Sequence, residues 1–108
     1  MTPPQNLSSV KWQTLSLAEQ LGNAGSDFER ALRWKEKGQT ALFDKAVSRT
    51  LEQLDLTLAD GRWRSHRRRE IARLREETCR TFFTSGHNEP SGLQKYYLSM
   101  AALARKNR

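Results

Sequence analysis

The sequence is poor in reactive and metal-binding side chains: among 108 residues it has one cysteine, Cys79, and two histidines, His66 and His87. A single thiol forms no internal disulfide, and these three residues are too scattered to make a zinc site. No glycine-rich loop fits a phosphate cradle, and no pair of carboxylates stands out for acid–base work. The sequence therefore predicts no metal and no cofactor. Hydrophobic residues are also sparse, at 36% against 29% charged, so a core can form only if each element concentrates its apolar residues on one stripe. No apolar run approaches the roughly 20 residues that span a bilayer. The opening MTPPQNLSSV lacks the positive patch and apolar core of an export signal, which predicts a cytoplasmic protein with no membrane attachment.

What the chain does have is positive charge, placed unevenly. Residues 1–60 carry 7 basic and 8 acidic side chains, whereas residues 61–108 carry 12 and 4. Most of the excess lies in GRWRSHRRREIARLREETCR, residues 61–80, with 8 arginines against 3 glutamates. A polarised charge of this kind points to an acidic partner, and nucleic acid is the commonest one.

Apolar spacing predicts an all-α chain: a short tail over residues 1–13, anchored by Val10 and Trp12, then one helical domain over residues 14–108. Ser16-Leu17-Ala18-Glu19 is a capping-box pattern that starts the first long helix. Leu17, Leu21, Ala24, Phe28, Ala31 and Leu32 follow on one face, and Gly38 ends the helix. Gly22 and Gly25 weaken this helix, but they would let a neighbour approach closely. The second helix spans about Thr40 to Ala59, with Leu42, Phe43, Ala46, Val47, Leu51, Leu54 and Leu58 on its stripe. The third spans about Trp63 to Phe83 along Ile71, Leu74, Thr78 and Phe82. A loop at Ser85–Pro90 leads to a fourth helix from Ser91, where Gln94 completes a second capping pattern. That helix buries Leu93, Tyr96, Tyr97, Met100, Ala101 and Ala104. Short links predict an antiparallel four-helix bundle.

Helical geometry splits the arginine cluster. Arg69, Arg73 and Arg80 share the outer face of the third helix, while Arg64, Arg68 and Arg75 lie closer to its apolar line. Arg75 calls for an acidic neighbour such as Asp55 or Glu52. Arg62 and Arg64 flank Trp63, which can stack on a base or on a guanidinium. The expected nucleic-acid-binding set is Arg62, Trp63, Arg64, Arg67, Arg68, Arg69 and Arg73, making salt-dependent phosphate contacts. The competing expectation is a solvated helix with some arginines paired to acids. His66 reads as a surface histidine and Cys79 as a core filler.

Arg80 and His87 are spaced as R-x6-H, and an arginine and a histidine beside a phosphodiester can stabilise charge and move a proton. The stretch Arg80-Thr81-Phe82-Phe83-Thr84-Ser85-Gly86-His87 resembles the R-x4–6-H motif of the HEPN superfamily, helical-bundle proteins that include metal-independent RNases. The resemblance covers these two positions and the helical architecture. It implies an alternative catalytic pair, Arg80 and His87, meeting its mate across a dimer. Thr81 is a poor stand-in for the polar residue that often follows the arginine in that family. Stretches such as Ser16–Leu21, Gly25–Ala31 and Leu54–Asp60 resemble small prokaryotic four-helix-bundle proteins. A basic bundle of this size is also similar to rRNA-intervening-sequence proteins and to accessory proteins of diversity-generating retroelements. Those resemblances imply RNA rather than DNA as the partner.

Leu56, Leu98 and Leu103 fall off their stripes and, with Trp34, predict a second buried face and hence a homo-oligomer. The leading expectation is a non-enzymatic nucleic-acid-binding protein. The alternatives are a HEPN-like RNase and an oligomeric scaffold or regulatory subunit for an acidic protein.

Overall fold

The computed structural model describes residues 9–84 and 91–106, with the side chain of Ser91 left aside. The helices are α1 (Ser9–Trp12), α2 (Leu17–Glu36), α3 (Thr40–Leu58), α4 (Ser65–Phe83) and α5 (Ser91–Lys106). No strand occurs among the described residues. The four long helices pack together as a bundle, as the periodicity predicts.

Local chemistry sets the ends of α2. The Ser16 hydroxyl accepts from the Glu19 amide at 3.0 Å, and the Glu19 carboxylate accepts from the Ser16 amide at 2.8 Å, so the predicted capping box is formed. At the other end Gly38 takes φ 70°. Its amide donates to the Lys35 carbonyl, and the Gln39 amide reaches back to Trp34. This is the paired closure that a left-handed glycine allows, and it turns the chain at once into α3.

The helices run up, down, up and down. Asp27 of α2 pairs with Arg49 of α3, while Gln20 near the start of α2 bonds Asp60 beyond the end of α3. Gly22 and Gly25 face Ala101 and Tyr97 of α5, so α5 is antiparallel to α2. The chain leading into α4 lies beside Gln20, through Trp63, and Phe82 near its end lies against Phe28. The core centres on Phe28, whose ring lies 5.4 Å from Phe82 and 5.1 Å from Tyr97. The Tyr97 hydroxyl meets Thr78 at 2.8 Å. Burial pushes the Tyr97 phenol well above its ordinary value, so it stays neutral and bonded to Thr78 throughout the physiological range.

The expected role of the two glycines in α2 is realised. A Cβ on Gly25 would come 2.5 Å from Tyr97 Cβ and 2.8 Å from Cγ, a clash with the root of a fixed core residue rather than with a flexible tip. Gly25→Ala is therefore expected to destabilise by about 2 kcal/mol or more, because overpacking outweighs the roughly 1 kcal/mol gained in helix propensity. Urea denaturation checks this. A variant as stable as the parent would mean that α5 can slide outwards without cost.

Several expectations are corrected. Val10 is 74% exposed and anchors nothing, whereas Trp12 is fully buried. The chain from Ser9 is thus folded onto the bundle, and the described end of the expected tail belongs to the domain. Leu42 of α3 and Tyr96 of α5 lie at the edge of the core rather than in it, each at 39% exposure. The third predicted helix starts two residues later, at Ser65, because Trp63 is held in a turn by its amide bond to the Asp60 carbonyl. The capping box expected at Ser91 and the loop over residues 85–90 lie outside the described side chains.

Candidate nucleic-acid interface

The link from α3 to α4 is organised by polar atoms. Asp60 is 2% exposed. Its carboxylate accepts from the Arg62 amide and guanidinium and from the Gln20 side chain at 3.0 Å. Gln20, itself fully buried, also donates to the Trp12 carbonyl at 2.9 Å and accepts from the Trp63 indole at 2.8 Å. The Trp12 indole donates to Thr57 at 3.0 Å. One glutamine thus ties the N-terminal turn, the start of α2 and the approach to α4 together.

This network absorbs two of the residues expected to bind nucleic acid. Arg62 donates to Asp60 and to the Leu15 carbonyl, and its guanidinium covers the Trp63 ring at 4.5 Å. Trp63 is half-buried with its N–H engaged. The stacking partner that Trp63 finds in the fold is a guanidinium, not a base. Arg75 is structural as expected: it donates to Asp55 at 2.6 Å. Arg68 is exposed, and its Nε lies 3.3 Å from the Leu58 carbonyl, at the open end of α3.

The hydrogen bond from Arg62 holds the Asp60 carboxyl at a pKa of about 2, against a smaller opposing effect of burial. A depressed carboxylate contributes stability that is complete above its unfolded value of 3.8 and is lost as the pH falls through about 2. The gap corresponds to about 2 kcal/mol. Asp60→Asn is expected to be less stable than the parent by about this much at pH 6, with the two denaturation curves converging near pH 2. A difference unchanged by pH would show that the Asp60 charge contributes nothing.

Beyond this turn the fold makes little use of the arginines. Arg64, Ser65, His66, Arg67, Arg68, Arg69 and Glu70 are all exposed. A helix packed along its length would bury at least one residue per turn, so the first two turns of α4 overhang the core. Arg64, at the N-cap position, makes no side-chain capping bond, and Ser65 adopts φ 53°, a left-handed value unusual for a residue with a Cβ. Among the described residues His66 meets Glu70 at 3.4 Å, and no hydrogen bond or ion pair engages the side chains of Arg64, Arg67, Arg69 or Arg73. Placing Arg64 and Arg67 in the first turn of the helix opposes its dipole.

The bundle gathers further charge at the same pole. α5 ends in Arg105 and Lys106, and Arg105 lies beside Leu15 and Glu19 at the start of α2. The opposite pole is mixed in sign, with an open groove lined by Glu29, Arg33, Lys35, Glu36, Thr81 and Gln94. The segregation of charge in sequence therefore becomes segregation in space.

Arg80, of the alternative catalytic pair, is exposed and pairs with Glu77 at 3.1 Å. His87 lies outside the described residues. No cluster of three potential metal ligands occurs among the described residues, and no helix is long and apolar enough to cross a membrane. Cys79 is half-buried beside Arg75. Sequence reasoning missed Gln20 and Asp60, and it expected Trp12 to pin the N-terminal segment without foreseeing its bonds to Thr57 and Gln20. The one available signal was Asp60-Gly61 followed by Arg62, an acid–turn–base pattern. Comparison with protein-family models, curated proteins and solved structures finds no match.

Proposed function

We propose that this protein binds nucleic acid through the exposed start of α4, without catalysing a reaction. The observation that carries the reading is the set Arg64, Arg67, Arg69 and Arg73. These four cations have no hydrogen bond or ion pair among the described residues, and two of them, Arg64 and Arg67, sit in the first turn, where the helix dipole disfavours them. Arg68 and the basic end of α5 widen the patch. Arg62 and Trp63 support it from below by fixing the turn from which α4 departs. Phosphates are the natural counter-charge, and contacts of this kind bind with little regard to sequence.

The test is a binding series over increasing salt with RNA, duplex DNA and polyglutamate as ligands. Four phosphate contacts predict a log–log slope of about −3 to −4, set by release of counterions condensed on the nucleic acid. Polyglutamate is expected to bind more weakly. Equal or tighter binding of polyglutamate would reassign the patch to an acidic protein and overturn the reading.

The expected homo-oligomer remains a proposal; on α5, Tyr96 and Leu103 share a face. Leu98 and Leu103 are 60% and 44% exposed, but five residues of helix place them about 140° apart around α5.

A further inference from the structure

We infer, resting on the reading above, that the nucleic acid is single-stranded and bends over the start of α4 so that a base stacks on Tyr96 of α5. Azimuth sets the route. At about 100° per residue, Arg69 and Arg73 lie about 40° apart on the outer face of α4, while Arg67 points about 120° away from Arg73 and about 160° from Arg69. Arg67 is in line with the buried Ile71 and Leu74, so it is turned towards the bundle, on the side where Tyr96 of α5 stands. A duplex has a persistence length of about 50 nm and does not wrap a helix about 10–12 Å across. Laid on the outer face, it reaches Arg69 and Arg73 and leaves Arg67 behind them. A single strand can turn at each nucleotide and pass from the outer face to the side of Arg67.

What lies beyond Arg67 is apolar. Tyr96 is 39% exposed, and its ring rests edge-on against Tyr97 at 6.0 Å, which supports it from one side. Burial pushes its phenol above the ordinary value; Glu70 adds to the shift and Arg67 opposes it, so the hydroxyl end of the ring lies among the charges of α4. Leu103 is exposed two turns further along the same face of α5, with Met100 half-buried between them. The backbones of α4 and α5 are not closely packed, so α4 does not cover this strip. An arginine beside an exposed aromatic ring suits a ligand that offers a phosphate to the one and a base face to the other. A single strand offers both, whereas a duplex keeps its base faces stacked inside and an acidic peptide carries no bases. Glu70, the acid on this route, meets His66 at 3.4 Å and stands between Arg67 and Arg73.

The experiment measures binding of a mixed-sequence strand of about two helical turns as DNA and as RNA, and of the duplex of each, by fluorescence anisotropy over a salt series. Either single strand is expected to bind about tenfold or more tighter than its duplex, and the ratio of the two strands tells RNA from DNA as the source. Tyr96→Ala should weaken single-strand binding by about five- to a hundredfold, the usual loss of one stacked base, while Tyr96→Phe keeps it. Stacking releases no counterions, so the salt slope of Tyr96→Ala should equal that of the parent. A strand carrying 5-iodouracil, irradiated with the parent protein, should crosslink to Tyr96, which reads the contact without any variant having to fold. Duplexes binding as tightly as single strands, a crosslink that avoids Tyr96, or full affinity in a folded Tyr96→Ala would overturn this inference while leaving nucleic-acid binding intact. A dimer of the free protein that dissociates on Tyr96→Ala, seen by light scattering, would assign the face to a second copy and overturn it too. Failure of every nucleic acid to bind at low salt would overturn both readings.

Discussion

Trp12→Ala is expected to lower the stability of the protein by about 3–5 kcal/mol, the usual cost of truncating a buried large aromatic. For a domain of this size that corresponds to a fall in Tm of roughly 15–30 °C. The loss has two parts. Removing a fully buried indole leaves a cavity against α3. It also removes the anchor that keeps the Trp12 carbonyl against Gln20, so Gln20, Asp60 and Trp63 lose a common support. Val10→Ala, at a residue 74% exposed, serves as the control and should shift stability by less than about 0.5 kcal/mol. Thermal unfolding followed by circular dichroism measures both. A Trp12→Ala protein melting within a few degrees of the parent would mean that α1 is not part of the cooperative unit.

The second large effect is on binding. Replacing Arg64, Arg67, Arg69 and Arg73 together by glutamine is expected to weaken nucleic-acid affinity by on the order of 10³-fold at 0.1 M salt, since each lost phosphate contact removes a factor of about eight there. The log–log slope should flatten by about 3 to 4 units, which separates loss of phosphate contacts from general damage. Stability should stay within about 0.5 kcal/mol, because all four side chains are exposed and none is hydrogen-bonded or ion-paired among the described residues. The opposite pattern is expected for Arg62→Gln. It leaves Asp60 buried without its main partner, so its effect falls first on folding. An unchanged slope in the quadruple variant would remove α4 from the interface.

The contrast between Arg62 and Arg69 also shows what could be read from the chain. Periodicity placed the long helices and most of their buried faces, because a stripe such as Leu21, Ala24, Phe28 and Ala31 repeats a physical spacing. It anticipated the Ser16–Glu19 cap, the turn at Gly38, the close approach at Gly22 and Gly25, and the need of Arg75 for an acid such as Asp55 or Glu52. The polar hub stayed hidden because it joins Gln20, Asp60, Trp12 and Trp63, which are far apart in sequence and follow no period. A glutamine on a helix reads as surface until three partners from other segments converge on it. The site was legible as composition but not as geometry. Eight arginines in a run look alike until the fold assigns one to Asp60, one to Asp55, one to the end of α3 and one to Glu77, and leaves the other four exposed without a hydrogen bond or ion pair among the described residues.

The glycine seam between α2 and α5 has a mechanical consequence. Where backbones touch, as at Gly22 and Ala101, two helices cannot tilt without collision. Together with α3, closely packed on the other side of α2, they form a stiff plate. α4 has no such seam. It lies over α3 at greater remove and is held by the far ends of side chains such as Phe82, Thr78 and Arg75. Tilting it by a few degrees rotates side chains rather than driving backbones together. Backbone packing is therefore loosest along the one helix that carries the charge, next to the turn around Asp60.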